Sequence, residues 1–207
     1  MSGGVDSLTC AFSAMEAGKE IATYTFVPEG SDNEDAESSR VAAKVFEWTH
    51  TEITIPSDVN LQALFKMLIK DYGCNRKTLL ECTYPFYFTI PHIKEKFILT
   101  GVSADGWYGS GKEASMNYRD DKAGFDSWRL KYFDKTSPSG IDQLRQLSEE
   151  HGKILVSPYT RENKEFCDWA MTKDWRFFNV PQKGRVVSCY PEFEKVKHRK
   201  HAPAQLV

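Results

Sequence analysis

Ser2-Gly3-Gly4-Val5-Asp6-Ser7 opens the chain and runs directly into Val5, Leu8, Phe12 and Met15, apolar residues at helical spacing, with Gly18 where a helix would stop. Two glycines ahead of a helix let backbone approach a phosphate closely, because without Cβ atoms their N–H groups can converge on its oxygens. The helix after them points its positive end at the same anion. Ser2 and Ser7 add hydroxyl donors. Asp6 would be repelled by phosphates alone, so its place in the loop implies a bound cation, most simply Mg²⁺. The plainer reading is a serine-glycine turn capping a helix, with Asp6 favouring the dipole. The pattern of the remaining residues decides between the two.

Residues 20–27, EIATYTFV, are β-branched and aromatic and predict a strand closed by Pro28 and Gly30. The next stretch starts with cap-type and acidic residues and then places Val41, Val45 and Trp48 on one helical face. Residues 51–55 alternate as a strand does and end at Pro56. Leu61, Leu64, Phe65, Leu68, Ile69 and Tyr72 trace the clearest amphipathic helix. Residues 84–95 read as helix despite Pro85 and Pro91, and 97–100 as a short apolar strand. Such alternation implies an α/β fold, a parallel sheet covered by helices on both faces. Beyond about residue 110 the rhythm changes: 109–124 reads as loop, and 141–151 and 161–172 as helices. We read one domain over 1–207, a nucleotide-binding core over about 1–110 and a helical substrate-side part over about 111–207.

The 207 residues are 41% hydrophobic and 27% charged, an ordinary globular balance. A net charge of −2 argues against nucleic acid held by bulk electrostatics. No apolar stretch is long enough for a bilayer, and the N-terminus lacks the basic and apolar regions of a secretion signal. The five cysteines are scattered with no CxxC pair, as expected of idle thiols in a reducing cytoplasm. Lys195, Lys197, His198, Arg199, Lys200 and His201 form a basic run, read first as a solvated tail and second as a nucleic-acid or phosphate contact.

The second informative stretch is Leu99-Thr100-Gly101-Val102-Ser103-Ala104-Asp105-Gly106-Trp107-Tyr108-Gly109-Ser110-Gly111, a glycine-rich turn at a strand end. Ligands bind at that edge of open α/β sheets. Thr100 and Gly101 could line a nucleotide there, and Asp105 could share a cation with Asp6. SGGVDS resembles the PP-loop of the N-type ATP pyrophosphatases, and LTGVSADGWYGSG is similar to the LSGEGADELFGGY motif of the asparagine synthetase synthetase domain, also found in β-lactam synthetase. His50-Thr51-Glu52 resembles the family's His-x-Glu strand, and Pro158-Tyr159 and residues 166–171 its later segments.

That resemblance implies a Rossmann-like, adenine nucleotide α-hydrolase-like fold with a helical C-terminal extension. It also implies an ATP-consuming, AMP- and pyrophosphate-forming ligase of carbon–nitrogen bonds. Carried over by position, Ser2, Gly3, Gly4, Asp6 and Ser7 would hold the pyrophosphate, and Asp6 and Asp105 the Mg²⁺. Phe26, Val27, Thr100 and Gly101 would contact adenosine, and Lys183 falls near the family's catalytic lysine. The resemblance gives the basic run from Lys195 to His201 a third reading, as an ATP contact. The partner would be a small-molecule acceptor.

The resemblance also has gaps. Val102 stands where the family has a glutamate credited with acting on the attacking nitrogen, a role Glu81 or Glu113 would have to take. Pro158-Tyr159-Thr160-Arg161 lacks the family's aspartate. The glutaminase domain is absent from the sequence, so ammonia would come from solution or a separate subunit. The apolar strand that precedes the family's loop has no counterpart before Met1, which implies a shortened product or a slot filled by another segment or subunit. Two rival readings stay open: a tRNA- or nucleobase-modifying member of the same superfamily, and a non-catalytic ATP-binding module.

Overall fold

In the computed structural model, which describes residues 1–31, 33–134, 140–180 and 183–196, the opening loop is tied down at its first residue. The Met1 carbonyl accepts hydrogen bonds from Thr25 Oγ1 at 2.6 Å and Ser39 Oγ at 2.7 Å. Helix α1 (Val5–Glu16) comes next, with Gly4 extended as its N-cap and Gly18 left-handed beyond its end. Its inner stripe is the expected one, Val5, Leu8 and Phe12. Phe12 is fully buried, its ring centroid within 6.0 Å of those of Phe46, Trp48, Tyr190 and Phe193.

Strand β1 (Ala22–Pro28), helix α2 (Glu34–Val45) and strand β2 (Thr49–Ile55) form a crossover, and the strands pair in parallel from Ala22↔Thr49 to Pro28↔Ile55. The buried residues of β1 are Thr23 and Thr25, each with its hydroxyl satisfied: Thr25 on Met1, Thr23 on the Thr49 carbonyl and on His50 Nδ1 at 2.8 Å. Asn33 caps α2 through its Oδ1, 2.7 Å from the Ala36 N–H, and Glu34, Asp35 and Glu37 fill the first turn. The inner face of α2 differs from expectation. Val41 and Val45 are 44% and 42% exposed, while Ala36, Ser39, Ala42 and Ala43 are buried. The helix lies too close to the opening loop for larger side chains: a Cβ on Gly3 would stand 2.3 Å from Ser38 Cβ.

Helix α3 (Leu61–Tyr72) buries Leu64 and Leu68 and stops at left-handed Gly73. Helix α4 (Lys77–Thr89) begins well before residue 84 and carries Pro85 inside it; a 3-10 turn at Ile90–His92 takes up Pro91. Strand β3 (Phe97–Leu99) then pairs in parallel with β4 (Ile154–Val156), register Phe97↔Ile154. Between them lie α5 (Ala104–Tyr108), α6 (Lys112–Asn117), α7 (Lys122–Asp134) and α8 (Ile141–Glu150). After β4 come α9 (Lys164–Met171), α10 (Trp175–Asn179), α11 (Gly184–Val187) and a final 3-10 turn at Pro191–Glu194.

Two expectations are corrected in this half. Residues 109–124, read as loop, contain α6 and the start of α7. The buried stripe of α7 is Phe125, Arg129 and Phe133, and the arginine at its centre hides the apolar period. The part read as helical, about 111–207, also contains β4, between the helices expected at 141–151 and 161–172, a strand of three residues that is too short to show alternation. The strands among the described residues form two parallel pairs, not one hydrogen-bonded sheet. Helices flank both pairs in a Rossmann-like α/β arrangement, with Ile98 and Leu155 packed on Ile90, Ile93, Ile141, Leu144 and Leu147. No helix among the described residues is long and apolar enough to cross a membrane. The basic run from Lys197 to His201 lies outside the described residues.

Phe12→Ala should lower unfolding free energy by about 3–5 kcal/mol in urea titrations, the usual cost of emptying an aromatic core position. Val41→Ala on the exposed side of α2 should change it by less than about 0.5 kcal/mol. Burial holds the His50 imidazole below its ordinary pKa, against a smaller upward pull from Glu52. Its neutral form is therefore the stabilising one: the contribution is complete above about pH 6.5 and is lost as pH falls through the folded value. Thermal unfolding between pH 7 and pH 5 should fall more steeply in the wild type than in His50→Gln.

Candidate functional site

The opening loop turns through left-handed Gly3 at φ 66° and closes on its own hydroxyls. Ser7 Oγ donates to the Gly4 carbonyl at 3.0 Å and lies 3.3 Å from Ser2 Oγ, which also accepts from the Gly4 N–H at 3.4 Å. Asp6 sits in the first turn of α1. Gly101, just past β3, abuts it so closely that a Cβ there would be 2.8 Å from the Asp6 carbonyl carbon and 2.9 Å from its Cβ. The end of β3 is thus fitted backbone-to-backbone against the start of α1. Only glycine permits that approach.

Asp105 arrives from the other side on α5, a five-residue helix too short to hold itself. Hydrogen bonds to and from distant elements fix it. Trp107 Nε1 donates to the Tyr159 carbonyl at 2.9 Å, Trp175 Nε1 to the Gly109 carbonyl at 2.9 Å, and Asn179 Nδ2 to the Tyr108 carbonyl at 2.5 Å. Fully buried Arg129 bridges α7 to the end of α9, donating to the carbonyls of Ala170 at 2.8 Å and Lys173 at 3.1 Å, and pairs with Asp126. Its guanidinium lies over Phe125 at 4.1 Å. The same arginine lies 3.4 Å from the Trp107 carbonyl.

Lys183 connects the two acids. Its Nζ donates to Asp6 Oδ2 at 2.6 Å and to Asp105 Oδ1 at 2.7 Å. The backbone there is left-handed at φ 56°, a conformation that favours glycine, and is held by the Lys183 N–H on the Phe178 carbonyl at 2.8 Å. A lysine kept at such a position points to a use for its side chain. The Tyr108 ring lies beneath the ammonium at 5.3 Å. Side-chain exposure rises from 10% for Lys183 to 20% for Asp6 and 42% for Asp105, so the cluster opens to solvent on the Asp105 side.

Burial by itself would push the lysine pKa down, but the charges of Asp6 and Asp105 outweigh it and the net direction is up. The ammonium therefore stays charged across the neutral range. Behind it, burial and then the Asp6 charge push the Cys10 thiol up to about 12, so this thiol is a packing group and not a nucleophile. Burial likewise raises Tyr108 and Tyr159, which remain neutral phenols.

Asp6, Asp105 and Lys183 thus meet at one point beside the Ser2–Ser7 loop, with Gly101 in contact and Thr100 fixed by its N–H on the Val156 carbonyl at 3.0 Å. Phe26 and Val27 are half-buried at the C-terminal end of β1, next to Thr25, which holds Met1. Val102 packs against the apolar cluster around Ile90 and Ile98, and its carbonyl accepts from Ser157 Oγ at 2.8 Å. Glu81 pairs with Lys77 on α4, and Glu113 is exposed at the start of α6. The residues missed at the level of sequence are Tyr108, beneath the lysine, and Arg129, behind α5. The aromatic pair inside the glycine-rich 99–111 stretch was the signal for the first; Arg129 carries none.

Asp6 and Asp105 are donors of the kind Mg²⁺ takes, since it binds one or two protein carboxylates and fills its octahedron with phosphate oxygens and water. Among the described residues no group of three or more His, Cys, Asp or Glu forms a metal cage. The Gly101→Ala variant should force β3 and α1 apart and lower unfolding free energy by about 1–3 kcal/mol in calorimetry or urea titration.

No curated protein matches the chain. The sequence profile of the asparagine synthase family, by contrast, matches residues 1–201 and so spans both the opening loop and Lys183. The chain belongs to the asparagine synthase family.

Proposed function

We propose that the chain binds ATP at the Ser2–Ser7 loop and cleaves it between the α- and β-phosphates, adenylating a small-molecule substrate that a nitrogen nucleophile then attacks. The observation that carries this reading is the convergence of Asp6, Asp105 and Lys183 beside a glycine loop that opens a helix. Family membership supports an ATP-dependent, synthetase-type activity.

In this reading the loop N–H groups and the Ser2 and Ser7 hydroxyls cradle the polyphosphate at the positive end of α1. Asp6 and Asp105 hold Mg²⁺, which when bound supplies charge neutralisation across the phosphates. Phe26, Val27, Thr100 and Gly101 line the adenosine. A substrate oxygen attacks the α-phosphorus, the bond to the bridging oxygen breaks, and pyrophosphate leaves with the electron pair. Lys183 counters the negative charge that builds on the leaving group, a role worth most in a site already shielded from water. The nitrogen nucleophile then displaces AMP, the ammonia coming from solution or from a separate subunit.

Val102 favours a second reading, an ATP-binding module without the nitrogen-transfer step, since its side chain moves no proton and is committed to apolar packing.

Substrate-dependent exchange of pyrophosphate into ATP, and release of AMP and pyrophosphate, test both. Lys183→Met and Asp6→Asn should each lower exchange by about 10²–10³-fold, as loss of one charge-stabilising group does. ADP and phosphate as products would rule out the first reading; ATP binding without exchange, across carboxylate and amide acceptors, would favour the second.

A further inference from the structure

Lys183 occupies the point at which the two acids meet: its Nζ is 2.6 Å from Asp6 Oδ2 and 2.7 Å from Asp105 Oδ1. A divalent cation bridging Asp6 Oδ2 and Asp105 Oδ1 would have to sit about 2.0–2.1 Å from each, in the space between them that the ammonium fills. We propose that Lys183 is the resident counter-cation of the Asp6–Asp105 pair in the nucleotide-free protein, excluding free divalent metal until a polyphosphate arrives. The inference rests on the reading of Asp6 and Asp105 as metal carboxylates and adds an order of events at that site.

Three features of the chain favour it. The lysine side chain is only 10% exposed and makes both ion pairs at once, so the acids are already neutralised in part and hold little surplus attraction for a hydrated metal. Mg²⁺ gives up its water reluctantly, and two carboxylates shared with an ammonium offer it less than two carboxylates alone. The anchor is rigid and the tether is not: the Lys183 backbone is fixed in the left-handed region at φ 56° by its bond to Phe178, whereas four rotatable side-chain bonds let the ammonium move. The face of Tyr108, 5.3 Å from Nζ, supplies a further favourable contact for the ammonium beside the acids. A polyphosphate on the loop changes the balance by adding several negative oxygens beside the acids. The amine can then pair with phosphate and release the carboxylates to a metal, so metal and polyphosphate bind together.

Mn²⁺ alone is the probe, followed by electron paramagnetic resonance and calorimetry on the intact chain. Nucleotide-free wild type should show no saturable Mn²⁺ site below ~1 mM, the range of weak carboxylate sites. With inorganic tripolyphosphate added, wild type should take up one Mn²⁺ per chain. Lys183→Met should bind one Mn²⁺ without polyphosphate, at least about tenfold tighter than wild type, from removal of the competing charge. Lys183→Gly should do the same and suits the left-handed backbone, which protects the test if the methionine variant folds poorly. Asp105→Asn in the Lys183→Gly background should abolish that site. A saturable Mn²⁺ site in polyphosphate-free wild type overturns the proposal, as does failure of wild type to gain one with tripolyphosphate, or folded lysine variants that remain without metal. Failure of AMP and pyrophosphate formation with these metal results intact would remove the proposed reaction and leave the counter-cation role. Active exchange in a protein that binds Mn²⁺ unaided would remove only the counter-cation role.

Discussion

Two carboxylates brought together in a partly buried place repel one another, and a fold that does so must supply a cation or protonate one of them. Here the cation is part of the chain. Lys183 lies 177 residues from Asp6 and 78 from Asp105, so a single ammonium joins the first turn of α1, the start of α5 and the entry to α11. The glycine contact at Gly101, the hydrogen bonds that pin α5 and the left-handed backbone at Lys183 all serve to place those three groups within one hydrogen-bond radius.

The architecture around them explains why so much of the C-terminal half is small, aromatic and irregular. Helices α5, α10 and α11 are four or five residues long and gain little from their own backbone bonds. They are held by side chains reaching between elements and by a dense aromatic cluster: Tyr108 stacks on Phe178 at 4.8 Å and Trp107 on Phe133 at 4.5 Å. Buried Arg129 plays the same part from below, satisfying carbonyls at helix ends that would otherwise be orphaned. A helix built this way takes its position from the tertiary structure, and an error in any one of several distant residues would be felt at Asp105.

The elements that could be read directly are those whose information is local. SGGVDS opening an amphipathic helix, EIATYTFV ending in proline and the 61–72 stripe each carry their signal within a few residues, and each forms close to its expected bounds. α7 was missed because an arginine sits at the centre of its buried stripe, and β4 because three residues cannot display a period. On α2 the period was right and the face was wrong: alanines and a serine lie inside because the neighbouring loop is too near for valine. Propensity cannot see a neighbour.

For the site, the same division holds. The glycines and the two aspartates stood out by residue type and order, as a phosphate cradle and a metal carboxylate would require, and Lys183 stood out only through the family resemblance. That these groups meet, that Lys183 lies directly between the acids, and that Tyr108 lies beneath it are matters of long-range packing alone. Sequence specified the chemistry available, because residue type fixes charge and donor geometry. Tertiary structure decided which charges neutralise which, because Coulombic pairing depends on distances that only the assembled core sets.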